Sequence, residues 1–322
     1  MVAVGDRMLT VEVLEKFTLA PILNFSTGSS LPDLSATAGL VEYNIGGTGT
    51  QLGGQLSYSQ RSTNVDRWLS QHSFHPIRWA QEAEASYNAN GIRFSDSQAA
   101  WDRRCLGGEY ELKGPCLYGS PLRYEAVLRA YQETVEDAKG PHPSNGYFVG
   151  LAPEVTWDHV SAEFRPGYFL GANQNRHEAR LRYLQGIPLA STPVLMINGV
   201  AEAVNRGNPN HSVLLGSIAG VRGLSDNLFR NRAQTYSNLE LRHAIQLAAR
   251  WALQGVVFSD AGAFQRFTDQ GQLRSWRGAV NIGAGFRVVP RFLSNTLLRV
   301  DFAQLPAPTP NSLVPFGITQ YF

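Results

Sequence analysis

Near its end the chain reads NTLLRVDFAQL, with Leu298, Val300 and Phe302 on one face of an extended segment and Arg299 and Asp301 on the other. A period of two belongs to a β-strand, because successive side chains of an extended backbone point to opposite faces. The same alternation runs through SWRGAVNIGAGFRVV, where Trp276, Val280, Ile282, Ala284, Phe286 and Val288 oppose Arg277, Asn281 and Arg287. It recurs in LRYEAVLRAYQE and HEARLRYLQ, and no helix would keep that register over so many residues. Eleven further stretches read alike: PILNFSTG, SATAGLVEYN, TQLGGQLSYSQ, RWLSQHSF, IRWAQEAEASYN, YFVGLAPEVTWDHV, GYFLGAN, PVLMINGVAEAV, YSNLELRHAI, WALQGVVFSDAG and SLVPFGITQYF. With a sixteenth stretch at Glu109 to Leu117, the chain reads as all-β with sixteen antiparallel strands.

Two architectures hold such a series, a soluble sandwich and a closed barrel, and alternation alone does not separate them. Aromatic placement favours the barrel. Tyr43, Tyr58, Trp68, Trp79, Tyr87, Trp157, Tyr168, Trp251, Trp276 and Tyr321 stand near strand ends, as in the girdles that flank a lipid-facing band. The chain also ends on an aromatic, Phe322. The sequence contains no apolar run of the roughly 18 residues that a membrane helix needs, which leaves a transmembrane barrel open.

Charge narrows the function. Lysine occurs only at Lys16, Lys113 and Lys139 among 28 basic residues, and the net charge of +2 is spread too evenly to suggest nucleic acid. No cysteine and histidine pattern suggests zinc. His72 and His75, three apart, are too few for a metal site, so no metal or cofactor is expected. Asp158 and His159 form an acid and histidine pair of the kind used to activate water, but alternation sets them on opposite faces. Chemistry is therefore not expected, and the protein reads as a non-enzyme.

One arginine stands apart, in GVRGLSDNL at residues 220 to 228. On its own this is a glycine turn carrying a solvated charge. Downstream, Glu240 shares a strand face with Asn238 and Arg242, and Asp260 shares one with Phe258 and Gly262. If Glu240 and Asp260 lie on neighbouring strands, Arg222 folded into the lumen gains charge-assisted partners that hold the segment inside the barrel.

In content and order these residues resemble the outer-membrane assembly-factor superfamily, the BamA/TamA-like or bacterial surface antigen barrels. There a VRG motif in the sixth extracellular loop precedes an inward acid and then an FxDxG strand. Val221, Arg222, Gly223 and Leu224 match the first, with Leu224 in place of the usual aromatic. Glu240 matches the acid, and Phe258, Asp260 and Gly262 match the FxDxG strand. Gly317 and Phe322 match the C-terminal β-signal in part, Pro315 and Gln320 departing from it. TVEVLEKFTLAPILNF, residues 10 to 25, resembles the end of a polypeptide-transport-associated (POTRA) domain entering the first barrel strand.

The resemblance implies residues 1–19 as an N-terminal segment and 20–322 as a sixteen-stranded outer-membrane barrel with an inward-folded VRG loop. A complete POTRA domain needs about 75 residues, more than precede the barrel here. The implied activity is insertion or translocation of client proteins, or movement of lipid, through the lumen and a seam between first and last strands. A porin-like or structural barrel and an outer-membrane hydrolase are the alternatives, and oligomeric state is open. Cys105 and Cys116 flank LGGEYELKGP, and in an exported protein such a pair reads as one disulfide closing a hairpin outside the bilayer.

Overall fold

In the computed structural model the chain is described over residues 2–4, 7–9, 18–26, 34–59, 62–71, 80–93, 100–115, 121–140, 142–170, 174–205, 210, 212–215, 220–222, 224, 229–248, 251–268, 272–290, 296–304, 312–313 and 316–320. Two three-residue strands, β1 (Val2–Val4) and β2 (Arg7–Leu9), pair with each other. All other strands join one antiparallel sheet. They are β3 (Leu19–Ser26), β4 (Ser35–Ile45), β5 (Thr50–Ser59), β6 (Ser62–Gln71), β7 (Ala80–Arg93), β8 (Ala100–Pro115), β9 (Leu122–Lys139), β10 (Gly146–Trp157), β11 (Val160–Phe169) and β12 (Gln174–Pro188). The series continues with β13 (Pro193–Val204), β14 (Val213–Leu215), β15 (Phe229–Ala248), β16 (Trp251–Phe267), β17 (Leu273–Pro290), β18 (Thr296–Gln304), β19 (Ser312–Leu313) and β20 (Phe316–Gln320). Neighbours in sequence are neighbours in the sheet, except that β13 pairs directly with β15 and β18 directly with β20.

The sheet curls round into a barrel, and its two ends meet at Gly317 opposite Ser26 and Ile318 opposite Phe25. That junction contrasts with the β15 and β16 pair, whose register runs from Asn231 opposite Arg266 to Ala248 opposite Trp251. Strand length differs in the same sense. β3, β4, β5 and β6 are 8 to 11 residues long, whereas β15, β16 and β17 have 20, 17 and 18.

The alternation of the sequence is realised inside out. On β17 Ile282 is 63% exposed while Asn281 is fully buried, and on β18 Phe302 is 50% exposed beside Asp301 at 1%. Leu40, Leu52, Leu56, Tyr147, Leu151, Trp157, Leu181, Leu239, Val257, Trp276 and Val280 also lie on the outer face. A sandwich would bury those side chains against a second sheet. Here the polar face lines the interior, as in a barrel with a lipid-facing exterior and a polar lumen. No helix among the described residues is long and apolar enough to cross a membrane, a statement that has no bearing on strands.

The expected strands recur with shifted bounds: β11 begins at Val160 and β15 at Phe229, each seven residues before the stretch read for it, and SLVPFGITQYF contributes two short strands, β19 and β20. Glu109 to Pro115 is the second half of a strand that begins at Ala100, and β6 begins at Ser62, five residues before RWLSQHSF. Asp158 and His159 are not on a strand at all. They form the tight turn between β10 and β11, exposed, with Asp158 at φ 53° and its carboxylate 3.3 Å from His159 Nε2.

The stretch between Cys105 and Cys116 is not a hairpin. LGGEYELKGP is β8 itself, and Cys105 and Pro115 stand ten residues apart on it, roughly 33 Å at 3.3 Å per residue, far beyond the reach of a disulfide. Cys105 is a free thiol facing the interior. Cys116, Gly223, Pro315 and Phe322 lie outside the described residues.

Candidate functional site

Three strands each bring an acid to the inner face at mid-depth. Glu240 is the twelfth residue of β15, Asp260 the tenth of β16 and Asp301 the sixth of β18. The β15 and β16 register sets Asn238 opposite Asp260 and Glu240 opposite Phe258, so the two predicted acids are diagonal neighbours. Asp260 in turn faces Asn281 on β17, and Asp301 faces Gly285.

Arg222 enters this group from the segment between β13 and β15. Its Nε donates to Asp260 Oδ2 at 2.7 Å and its Nη2 to Asp260 Oδ1 at 2.5 Å, the two-pronged match of a guanidinium to a carboxylate. Its backbone N–H also donates to Asp260 Oδ2 at 3.0 Å. Nη1 donates to Glu240 Oε1 at 2.8 Å and to Asp301 Oδ2 at 3.3 Å. The guanidinium carbon stands 3.4 Å from the centroid of the Phe258 ring, a cation over an aromatic face.

Each acid has further support. Glu240 accepts from Arg242 Nε at 2.7 Å and Arg287 Nη2 at 3.2 Å, and Asp301 from Arg299 Nε at 2.6 Å. Asn238 Nδ2 donates both to Asp260 Oδ1 at 2.9 Å and to the carbonyl of Gly220 at 2.7 Å, tying backbone and acid together. Four arginines thus answer three buried carboxylates. Burying either sign alone costs several kcal/mol, so the group is stable only as a whole.

Packing explains Gly262 and Phe258 of the motif and Gly283 beside them. A Cβ on Gly262 would stand 2.7 Å from Val221 Cγ2, so only glycine lets the segment settle there. A Cβ on Gly283 would stand 2.3 Å from the Phe258 ring, which needs that space to lie beneath Arg222. Val221 is fully buried with Val200, Leu215, Tyr236 and Phe264, and Leu224 packs against the same cluster.

The same segment touches a second wall that the sequence reading missed. Asn210 lies six residues beyond the end of β13, yet its partners are on β8 and β9. Trp101 Nε1 donates to Asn210 Oδ1 at 2.8 Å, and Asn210 Nδ2 donates to Glu133 Oε1 at 2.6 Å. An indole can only donate and a carboxylate only accept, so the amide has one orientation that satisfies both. Arg103 Nε holds the other oxygen of Glu133 at 2.8 Å, where the Cys105 thiol also approaches at 3.6 Å. Trp101 and Glu133 are fully buried, and Ile92 and Val135 pack around the indole.

Asp301 is the other omission. Its alternation with Arg299 was visible, but nothing in the sequence linked β18 to Arg222. Gly317 lies in β20, opposite Arg299 and Ser26. No group of histidine, cysteine and acidic side chains suited to a metal occurs among the described residues.

No protein-family profile matches the chain, and no curated protein matches it. Solved structures do. A BamA from Haemophilus ducreyi lacking POTRA domains 1–3 aligns over 96% of this chain and 71% of its own, at 16% identity and a TM-score of 0.67. CdiB from Escherichia coli aligns over 99% of this chain and 66% of its own, at 13% identity and a TM-score of 0.70. CdiB from Acinetobacter baumannii aligns over 93% of this chain and 59% of its own, at 13% identity and 0.60. The chain thus spans about two thirds of the length of these structures, and it carries the barrel fold of BamA and CdiB.

Proposed function

We propose that the protein is a sixteen-stranded transmembrane β-barrel of a Gram-negative-type outer membrane that inserts or translocates client proteins, or moves lipid. It acts through the lumen and through the seam between β3 and β20. Once the two shortest segments of the sheet, β14 and β19, are set aside, sixteen strands remain, an even number as in bacterial outer-membrane barrels. Outer-membrane lipid and client outer-membrane proteins are the partners of this reading, with no cofactor and no catalytic residue.

The observation that carries it is the seating of Arg222 on Asp260 and Glu240 in the motif order of the assembly-factor barrels. There the inward loop fills the lumen and leaves the seam as the adaptable part of the wall. Among the described residues two register pairs join β3 to β20, which agrees with that division, since few of their backbone hydrogen bonds must break to part the strands. A freely conducting porin is disfavoured by the same loop, which puts Val221, Arg222 and Leu215 in the interior. A hydrolase is disfavoured because Asp158 and His159 sit on an exposed turn.

Reconstitution into liposomes tests the reading. Faster folding of an unfolded outer-membrane barrel added to proteoliposomes than to empty liposomes is expected. Ion conductance with no acceleration of folding would favour the porin instead.

A further inference from the structure

The inner face of β8–β12 holds a recess of about 140 Å³ that no residue of the Arg222 cluster lines. Two glycines make room for it. Gly150 and Gly167 are register partners on β10 and β11, and a Cβ on Gly150 would stand 2.7 Å from the Phe148 ring, while one on Gly167 would meet the same ring. Phe148 therefore lies along the wall, 4% exposed. Tyr131 of β9 stacks on it with ring centroids 4.7 Å apart, and the guanidinium carbon of Arg176 is 5.7 Å from the Phe148 centroid.

Around these rings the polar groups alternate in sign. Arg129 Nε lies 2.9 Å from Glu109 Oε1, and Arg165 Nη1 and Arg176 Nη2 donate to the two oxygens of Glu178 at 2.9 and 2.7 Å. Arg165 Nη2 also donates to Glu163 at 2.7 Å. The Arg129 side chain is 21% exposed and those of Arg165 and Arg176 are 25% exposed, so the recess opens on lumen water. A guanidinium only donates and a carboxylate only accepts. Arg129, Arg165 and Arg176 balance Glu109, Glu163 and Glu178 in charge, so a charged ligand gains no counter-ion here, and an apolar one would strip water from groups that it cannot pair.

We propose that the recess binds one sugar ring of an uncharged oligosaccharide in the lumen. Each sugar hydroxyl both donates and accepts, so neighbouring hydroxyls answer a guanidinium and a carboxylate side by side. The C–H face of the ring packs on Tyr131, whose aromatic face is electron-rich. The recess has about the volume of four to five waters at ~30 Å³ each, so one ring enters while the rest of the chain stays in lumen water. Because the site is on the inner face, the sugar belongs to a soluble chain and not to a lipid headgroup.

Isothermal titration calorimetry on the full chain in lauryldimethylamine oxide, a detergent without sugar, tests this with maltohexaose and chitohexaose as the probes. Saturable binding of at least one is expected, with none of inorganic phosphate, N-acetyltyrosinamide or octyl glucoside below its micelle concentration. Gly150→Ala drives a methyl against Phe148 without touching a charge and should weaken binding about tenfold or more. Arg129→Gln should weaken it severalfold, and it keeps the test valid where the overpacked variant does not form the barrel. Heat-modifiable gel migration identifies the variants that have done so. Absence of binding by both chains overturns the site, as does binding that both variants leave intact, or binding of phosphate, N-acetyltyrosinamide or octyl glucoside at least as tight as that of the chains. No client protein enters this measurement, so a failure of client folding in liposomes leaves it unaffected.

Discussion

At the deep anchor Arg222 meets carboxylates from β15, β16 and β18, while at the shallow one Asn210 bridges an indole and a single acid from β8 and β9. The deep anchor is charge-dense and over-determined: Arg222 has a main-chain hydrogen bond, a forked pair and an aromatic beneath it. At the shallow anchor a neutral amide accepts from the Trp101 indole and donates to Glu133. The first anchor rests on ion pairs, the second on hydrogen bonds of a neutral side chain. The two ends of one segment therefore differ in how they fail.

Arg222→Ala should have the largest effect on this contrast. It strips Asp260 of its bidentate partner, and breaking a buried pair costs about 3–5 kcal/mol, less where lumen water reaches the acids. The segment should become cleavable by protease added outside proteoliposomes while the barrel keeps its heat-modifiable migration. Continued protection would show that the shallow anchor suffices alone. Arg222→Lys keeps the charge and loses the planar fork, so partial cleavage is expected, with a loss of about 1.5–3 kcal/mol for a charge-assisted bond.

Gly262→Ala tests packing without touching charge. Its methyl meets Val221, and overpacking of this kind costs about 1–3 kcal/mol. Protection should fall at Val221 first. Combining Asn210→Ala with Arg222→Ala tests the independence of the anchors. They share no partner in the described contacts, so the effects on segment protection should add within about 0.5 kcal/mol. A larger coupling would make the two anchors one unit.

The smallest effect concerns Cys105, which contacts Glu133 at the shallow anchor. In a Cys116→Ser background its labelling by a thiol reagent should be slow in the parent and faster in Asn210→Asp, with Arg222→Ala changing it little. Equal labelling in all three would mean that the thiol does not report on the anchor.

The deep anchor was legible in the sequence because its parts lie in strands with clean alternation and follow a fixed order. Glu240 and Asp260 each stand on a polar face, and the register places them within reach of one guanidinium. Asp301 was visible as a polar-face residue but not as a partner, since β17 stands between it and Asp260. The shallow anchor was not legible at all. Asn210 sits in a connecting segment without periodicity, and its partners are 77 and 109 residues away.

The start of β8 was obscured for a local reason. Around WDRRCLGGEYEL both faces carry charge, Asp102 and Arg104 on one and Arg103 on the other, so the period of two is masked. Gly107 and Gly108 then imitate a turn, although Gly107 is extended and sits opposite Tyr131. The same two glycines prompted the disulfide expectation. A hairpin was read where the chain runs straight.

The inside-out alternation has a consequence for how such a chain reaches its membrane. Along the sequence outward residues such as Leu56, Leu181, Leu239 and Leu241 stand between polar neighbours, others such as Leu40 and Leu151 beside glycines, and mean hydropathy is −0.19, so a lone segment has little affinity for hydrocarbon. A single strand would also carry its unpaired N–H and C=O groups into the bilayer, at several kcal/mol for each group. The oily surface is thus a property of the assembled sheet and of no segment within it. Entry into the bilayer and strand pairing must proceed together, and in transit the chain travels as a water-compatible polymer whose membrane address becomes readable only at the moment of folding.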